Sequence, residues 1–275
     1  MPELPEVETI VRSLRSGGMT GEPITDRQIH SVDLFNPKTL VFDGTAEECG
    51  QLLAGAKILS VGRRAKYIKI TLSRSAVHIL FHLRMSGDLR CEADTGEELR
   101  KHDRMVFHFE DGTRLVFNDV RKFGRVWVTD DPESVLSGLG IEPLGEELTA
   151  EWLFEKLQGR SRMIKTILLD QSFIAGIGNI YADESLFSAK ILPTRSGSSL
   201  SEAECACLCD SIRKTLEHAI EMNGSSFDWA YKGGHFQNEF QVYQRKGEPC
   251  PVCGTPIRRI TVGQRGTHFC PNCQK

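Results

Sequence analysis

The spacing of apolar and polar side chains changes period once along the chain. Between residues 24 and 129 the period is two: stretches 24–34, 57–61, 67–72, 77–83, 104–110, 114–118 and 126–129 are β-branched or alternating, and Asp111-Gly112 is a hairpin signal between two of them. This predicts an antiparallel β-sandwich. Ahead of it, residues 5–17 read as a helix ended by Gly17-Gly18 and lying against the sheets. Beyond about residue 148 the period becomes helical. Trp152, Leu153 and Leu157, then Ile164, Ile167 and Leu168, recur at helix spacing, and 200–222 is a long amphipathic segment opened by Ser201 and Glu204 as a capping box. The expected fold class is α+β and multidomain, with a β-sandwich and flanking helices first and a helical domain after it.

Composition adds size and charge to that outline. A chain of 275 residues exceeds the usual single domain, and 40% hydrophobic with 26% charged residues is ordinary for a protein that buries its own cores. No apolar run is long enough to cross a bilayer, and the charged, proline-bearing N-terminus does not read as a secretory signal, so a cytoplasmic protein is expected. The net charge of −3 argues against a nucleic-acid partner until it is resolved along the chain. Residues 129–155 carry eight acids and no Lys or Arg, whereas 232–275 carry seven bases against two acids and 57–69 carry five bases and no acid. Phosphate binding depends on where cations cluster, so an acidic linker can mask basic faces elsewhere.

Two stretches point to chemistry on spacing or residue type alone. Cys250-x2-Cys253 and Cys270-x2-Cys273, sixteen residues apart, form a four-thiol set suited to one tetrahedral Zn²⁺, structural because no coordination position stays open. Disulfides are the alternative, disfavoured in a reducing compartment. Cys49, Cys91, Cys205, Cys207 and Cys209 lack such spacing and are expected to be buried thiols. Between the knuckles, 258–267 reads as a β-hairpin with a basic tip. The other stretch is Met1-Pro2-Glu3-Leu4-Pro5-Glu6-Val7-Glu8. If Met1 is removed, Pro2 carries a secondary amine titrating near ~7.7–8.0, nucleophilic at neutral pH, with the Glu3 carboxyl one residue away. The same residues also serve to cap a first helix, prolines early and acids near its positive end.

Further along, Arg63-Arg64-Ala65-Lys66-Tyr67 is a basic knot opening a strand, which a solvated sheet edge would also explain. Leu83-Arg84-Met85-Ser86-Gly87 and Asn118-Asp119-Val120-Arg121-Lys122-Phe123-Gly124 read as loops following strands, with large side chains set beside glycine. In Gly176-Ile177-Gly178-Asn179, two glycines before a helix start leave backbone N–H groups free for a phosphate, or simply make a tight turn.

Taken together these stretches resemble the bacterial formamidopyrimidine-DNA glycosylases, over nearly the whole chain. The resemblance implies a C-terminal helix-two-turns-helix domain and a four-cysteine zinc-finger hairpin, with boundaries expected at 1–130 (catalytic sandwich), 131–147 (acidic linker), 148–238 (helical DNA-binding domain) and 239–275 (zinc finger). It implies a bifunctional DNA glycosylase and abasic-site lyase acting on oxidised purines in damaged double-stranded DNA, as a monomer in the bacterial cytoplasm, with one structural zinc. Pro2 is then the nucleophile and Glu3 assists proton transfer. Lys66 stands beside the amine and phosphate, and Arg265 at the hairpin tip has a part in elimination. Met85, Arg121 and Phe123 fill the gap left by an extruded base, while His102, Arg160 and Asn179 contact DNA. The segment 224–238 stands where the family carries a lesion-covering loop but is shorter and more aromatic, which leaves the choice of lesion open. An endonuclease VIII-like enzyme for oxidised pyrimidines shares the Pro-Glu start, though Leu4 and Arg121-Lys122-Phe123 fit the purine branch. A zinc-finger protein that binds damage without cutting it is the remaining alternative.

Overall fold

The computed structural model describes residues 1–74, 76–96, 98–226 and 233–275. They form two compact units, one of residues 1–137 with 225–234, the other of 138–224 with 235–275.

The first unit opens with α1 (Leu4–Ser16). Val7, Ile10, Val11 and Leu14 form its inward stripe, and Gly17 ends it at φ 81°, where a side chain would be strained. There follow β1 (Ile29–Leu34), β2 (Leu40–Val41), α2 (Ala46–Leu53), β3 (Ile58–Arg64), β4 (Tyr67–Leu72), β5 (His78–His82), β6 (Gly87–Ala93), β7 (Asp103–Phe109), β8 (Thr113–Asp119), β9 (Arg125–Thr129) and the short α3 (Glu133–Leu136). One sheet has the order β2-β9-β5-β4-β3, the other β1-β7-β8-β6. All pairings are antiparallel except the two-residue β2, which runs parallel to β9. Phe81 of one sheet meets Phe107 and Phe117 of the other with ring centroids 5.9 Å apart, so the two inner faces share one core.

Three local expectations change. The strand expected at 24–34 begins only at Ile29, because Asp26 takes a left-handed φ of 70° and turns the chain. Strand β6 was not anticipated: Leu89 and Cys91 point inward, but Arg90 and Glu92 pair outward and break the apolar signal. Helix α2 was missed although Thr45 and Glu48 form a reciprocal capping box at its start.

The second unit holds α4 (Ala150–Leu157), α5 (Ile164–Leu168), α6 (Asn179–Ser188), α7 (Glu202–Glu221) and the hairpin β10 (Arg258–Val262) with β11 (Arg265–Phe269). Ser201 and Glu204 cap α7 as expected. Cys205 and Cys209 lie one turn apart on its buried face, and burial pushes their thiols up to about 11 and about 12. Cys207, two positions round the helix, faces solvent, which corrects the expectation that all five unpatterned cysteines are buried. No helix among the described residues is long and apolar enough to cross a membrane.

Candidate active site and nucleic-acid interface

In the first unit the site is built on the N-terminus of α1. Glu3 is the N-cap: its side chain accepts the N–H of Glu6, and its own N–H donates to Glu6 Oε2 at 2.8 Å. The other Glu6 oxygen accepts the Ser225 N–H at 2.8 Å and its hydroxyl at 3.1 Å. Both carboxyl groups are buried. Pro2 is buried as well while Met1 remains attached and 47% exposed, so in this state the proline nitrogen is an amide. An exposed amine is a property expected only of the chain lacking Met1.

Glu8, one turn on, accepts Arg63 Nε and Arg12 Nε, each at 3.0 Å. Burial alone would raise its carboxyl, but the hydrogen bonds and charges of Arg63 and Arg12 carry it below the ordinary value. Arg63 also donates to the Ala65 carbonyl at 3.0 Å, fixing the β3–β4 turn, where Ala65 sits at φ 51° and the next residue, Lys66, is buried. His82 lies close by, edge-on to Tyr67 at 4.6 Å, its Nδ1 accepting the Arg84 N–H at 3.0 Å. Burial, then the charges of Arg84 and Lys66, push His82 down to about 3, so it is neutral at physiological pH.

Met85 and Phe123 are exposed apolar side chains, at 43% and 50%, on the loops after β5 and β8. The exposed Arg121 guanidinium stacks over the Phe123 ring at 5.1 Å. The carbonyl of His102 accepts the Asp119 N–H at 2.9 Å. Of the lesion-loop candidates, 227–232 lie outside the described residues; their neighbours Ser226 and Gly234 are joined by two hydrogen bonds of 2.9 Å.

In the second unit, the two turns before α6 are held by the Gln171 amide, which donates to Leu169 and Ile177 carbonyls and accepts the Gly176 N–H. Asn179 therefore opens α6 directly after its N-cap, Gly178. Its Nδ2 donates to the Gly266 carbonyl at 3.0 Å, which sets it beside the hairpin residue Arg265, itself exposed. Gly263 and Gln264 make the hairpin turn at φ 55° and 64°. Arg160 is partly covered, its guanidinium 4.9 Å above the Phe173 ring.

Sequence reasoning missed the residues that hold this arrangement. Lys165 is fully buried; its ammonium donates to Thr267 Oγ1 at 2.8 Å and to the Gly266 carbonyl at 3.1 Å, and forms an ion pair with Asp183 Oδ1 at 2.6 Å. The second Asp183 oxygen accepts the His268 N–H at 2.8 Å. Glu184, the next residue on α6, accepts backbone N–H groups of Gln241, Val242 and Tyr243 at 2.8–3.0 Å. These two acids fasten the hairpin and the segment leading to it onto α6.

The sulfurs of Cys250, Cys253, Cys270 and Cys273 lie within 4.8 Å of one another, with Cys250–Cys273 at 3.8 Å and Cys253–Cys270 at 3.5 Å. A disulfide needs about 2.05 Å, whereas the edge of a tetrahedron of sulfurs around zinc, with Zn–S near 2.3 Å, is about 3.8 Å. The donor set fits one structural Zn²⁺.

Three family models match in series: the formamidopyrimidine-DNA glycosylase N-terminal domain over residues 1–126, the H2TH domain of the same enzymes over 139–230, and the zinc finger found in FPG and IleRS over 247–275. That succession defines a DNA glycosylase of the β-sandwich, helix-two-turns-helix and zinc-finger class. Formamidopyrimidine-DNA glycosylases of Pediococcus pentosaceus and Neisseria meningitidis are 45% and 39% identical, each across 100% of this chain and 99% and 100% of their own. The Lactococcus lactis Fpg protein, solved with DNA containing an abasic site, superposes with a TM-score of 0.90 at 37% identity over the whole of both chains. The chain belongs to the formamidopyrimidine-DNA glycosylase family.

Proposed function

We propose that the chain excises oxidised purines from double-stranded DNA and cleaves the strand at the abasic site that results, with Pro2 as nucleophile once Met1 is removed. The amine attacks C1′ of an everted nucleotide, and the base departs with the electron pair of the glycosidic bond. Opening of the sugar ring gives an iminium, which draws electrons so that the 3′ phosphate leaves by β-elimination and the 5′ phosphate by δ-elimination. Glu3 passes protons at the sugar. Lys66 contacts phosphate and, as a neighbouring cation, favours the neutral amine. Met85, Arg121 and Phe123 occupy the gap in the stack, Arg121 facing the orphaned cytosine. Asn179 and Arg265 grip flanking phosphates, with His102 and Arg160 as further DNA contacts.

The observation that carries this reading is the start of α1 in a chain of this family: Glu3, adjacent to Pro2, is buried and locked through Glu6. The chain acts as a monomer on damaged duplex DNA, and that substrate implies a location at the bacterial nucleoid. The finger's closed thiol set gives zinc a structural part, holding the hairpin of Arg265.

Retention of Met1 would leave the Pro2 nitrogen acylated and make the chain a protein that binds damage without cutting it. Intact mass of the purified chain separates the two. With Met1 absent, release of base from duplexes containing 8-oxoguanine, a formamidopyrimidine or an oxidised pyrimidine ranks the lesions. The reading predicts release from the purine lesions by wild type and none by Pro2→Gly; equal release by both would overturn it. The pyrimidine arm is open in this family, since the Lactococcus lactis Fpg was also solved with oxidised-pyrimidine DNA.

A further inference from the structure

Met85 stands on one loop, and Arg121 and Phe123 on another, 36 to 38 positions further along the chain. A single buried carboxylate joins the two. Asp119, 1% exposed, ends β8 opposite Gly87 of β6. Its Oδ1 accepts the Ser86 hydroxyl at 2.5 Å and the Arg121 N–H at 3.1 Å, and its Oδ2 accepts the Gly124 N–H at 2.7 Å. The Ser86 oxygen in turn accepts the Arg121 N–H at 3.1 Å. The backbone of Asp119 is fixed as well, its N–H on the His102 carbonyl and its carbonyl on Arg104 Nε at 2.7 Å.

Each loop contains a cationic residue in the left-handed region beside its gap-filling side chain, Arg84 at φ 53° before Met85 and Lys122 at φ 61° before Phe123. Side-chain-bearing residues disfavour that conformation, so it persists only where hydrogen bonds hold it. The glycines that frame the loops press on one ring: a Cβ on Gly124 would come within 2.4 Å of Phe117, and one on Gly87 within 3.0 Å of it and 2.5 Å of the Leu83 carbonyl. Both glycines therefore pack directly against the Phe117 ring.

We propose that Asp119, acting with Ser86, is a positioning residue that makes Met85, Arg121 and Phe123 one preformed wedge, so that they enter the duplex together. The proposal rests on the glycosylase reading above. Asp119 touches no reacting atom. Its part is to remove, before DNA binds, the ordering cost that two independent loops would incur during eversion.

Two variants of the full chain test this. Ser86→Ala deletes one hydroxyl; Asp119→Asn keeps the shape but sets an NH₂ group against donors. Amide hydrogen exchange without DNA is measured over 83–87 and 119–124. Single-turnover excision of 8-oxoguanine from duplex is compared with borohydride trapping at an abasic site in single-stranded DNA, where there is no stack to wedge. The proposal expects Ser86→Ala to speed exchange in both loops, including the Gly124 amide. It expects both variants to lose at least tenfold in duplex excision and to stay within twofold in single-strand trapping. Faster exchange confined to 83–87, or equal losses on both DNAs, would overturn it. Wild type that neither excises from the duplex nor traps on the single strand would instead sink the glycosylase reading, while the exchange result still decides whether the loops are coupled.

Discussion

The two units bury acids for opposite purposes. On α6, Asp183 and Glu184 are enclosed by fixed partners: the Lys165 ammonium and the His268 N–H around one, three backbone N–H groups around the other. Such a site is mechanically stiff and chemically quiet. On α1, Glu3 and Glu6 are buried at a helix start, where their partners are N–H groups of the same turn and of Ser225. That arrangement orders the carboxyl groups beside Pro2, where the proposed mechanism needs a proton carrier. Burial by itself therefore does not mark a catalytic acid: Glu184, like Glu3 and Glu6, is held by N–H dipoles, and what sets α1 apart is its place beside the proposed nucleophile.

The largest expected effect falls on the stiff side. Structural zinc in finger peptides contributes on the order of 10–16 kcal/mol, so chelation is expected to melt β10–β11 and abolish DNA binding while exchange protection in the sandwich core persists. Zinc content, DNA affinity and exchange read on one sample check this; loss of protection in both units at once would break the contrast. Next comes Lys165→Ala, which strands Asp183 without its cation. Breaking a buried pair from one side costs about 3–5 kcal/mol, to be read by chemical denaturation of the second unit, and the double change Lys165→Met with Asp183→Leu should recover most of it.

A smaller effect tests the first unit. His82 is held at about 3, far below the ordinary histidine value, by burial and then by Arg84 and Lys66. A depressed value means that the unfolded chain takes up a proton first, so the contribution is complete above about pH 6.5 and declines as pH falls. Between pH 6.5 and 5 the slope from this residue rises from about half to nearly all of its limiting value of about 1.4 kcal/mol per pH unit, about 1.6 kcal/mol over that interval. His82→Phe should flatten that part of the stability curve; an unchanged slope would show that the ring is not buried neutral.

What could be read in advance follows the same division. The zinc ligands were legible because C-x2-C spacing encodes both turn and ligand geometry, and the two-fold period marked most strands because one face of each is buried. Lys165 was not, since it occupies a polar position in an apolar helix and its partners lie 18 and about 100 positions away. Asp119 stood in a recognised motif, yet nothing local tells that its carboxylate reaches back to Ser86. Strand β6 was hidden by charges that pair with each other and across the sheet, with Arg114 on Glu92 and Asp103 on Arg90. Long-range polar contacts such as these, ion pairs and hydrogen bonds alike, leave no periodicity behind.

The central claim is that the reactive group is the amine of residue 2. Borohydride reduction of the Met1-free chain with a duplex containing 8-oxoguanine, followed by peptide mapping of the adduct, tests it directly. The account predicts one sugar remnant carried by the peptide that begins at Pro2. A remnant on Lys66 or any other side chain, or no adduct from a chain shown to begin at Pro2, would contradict it.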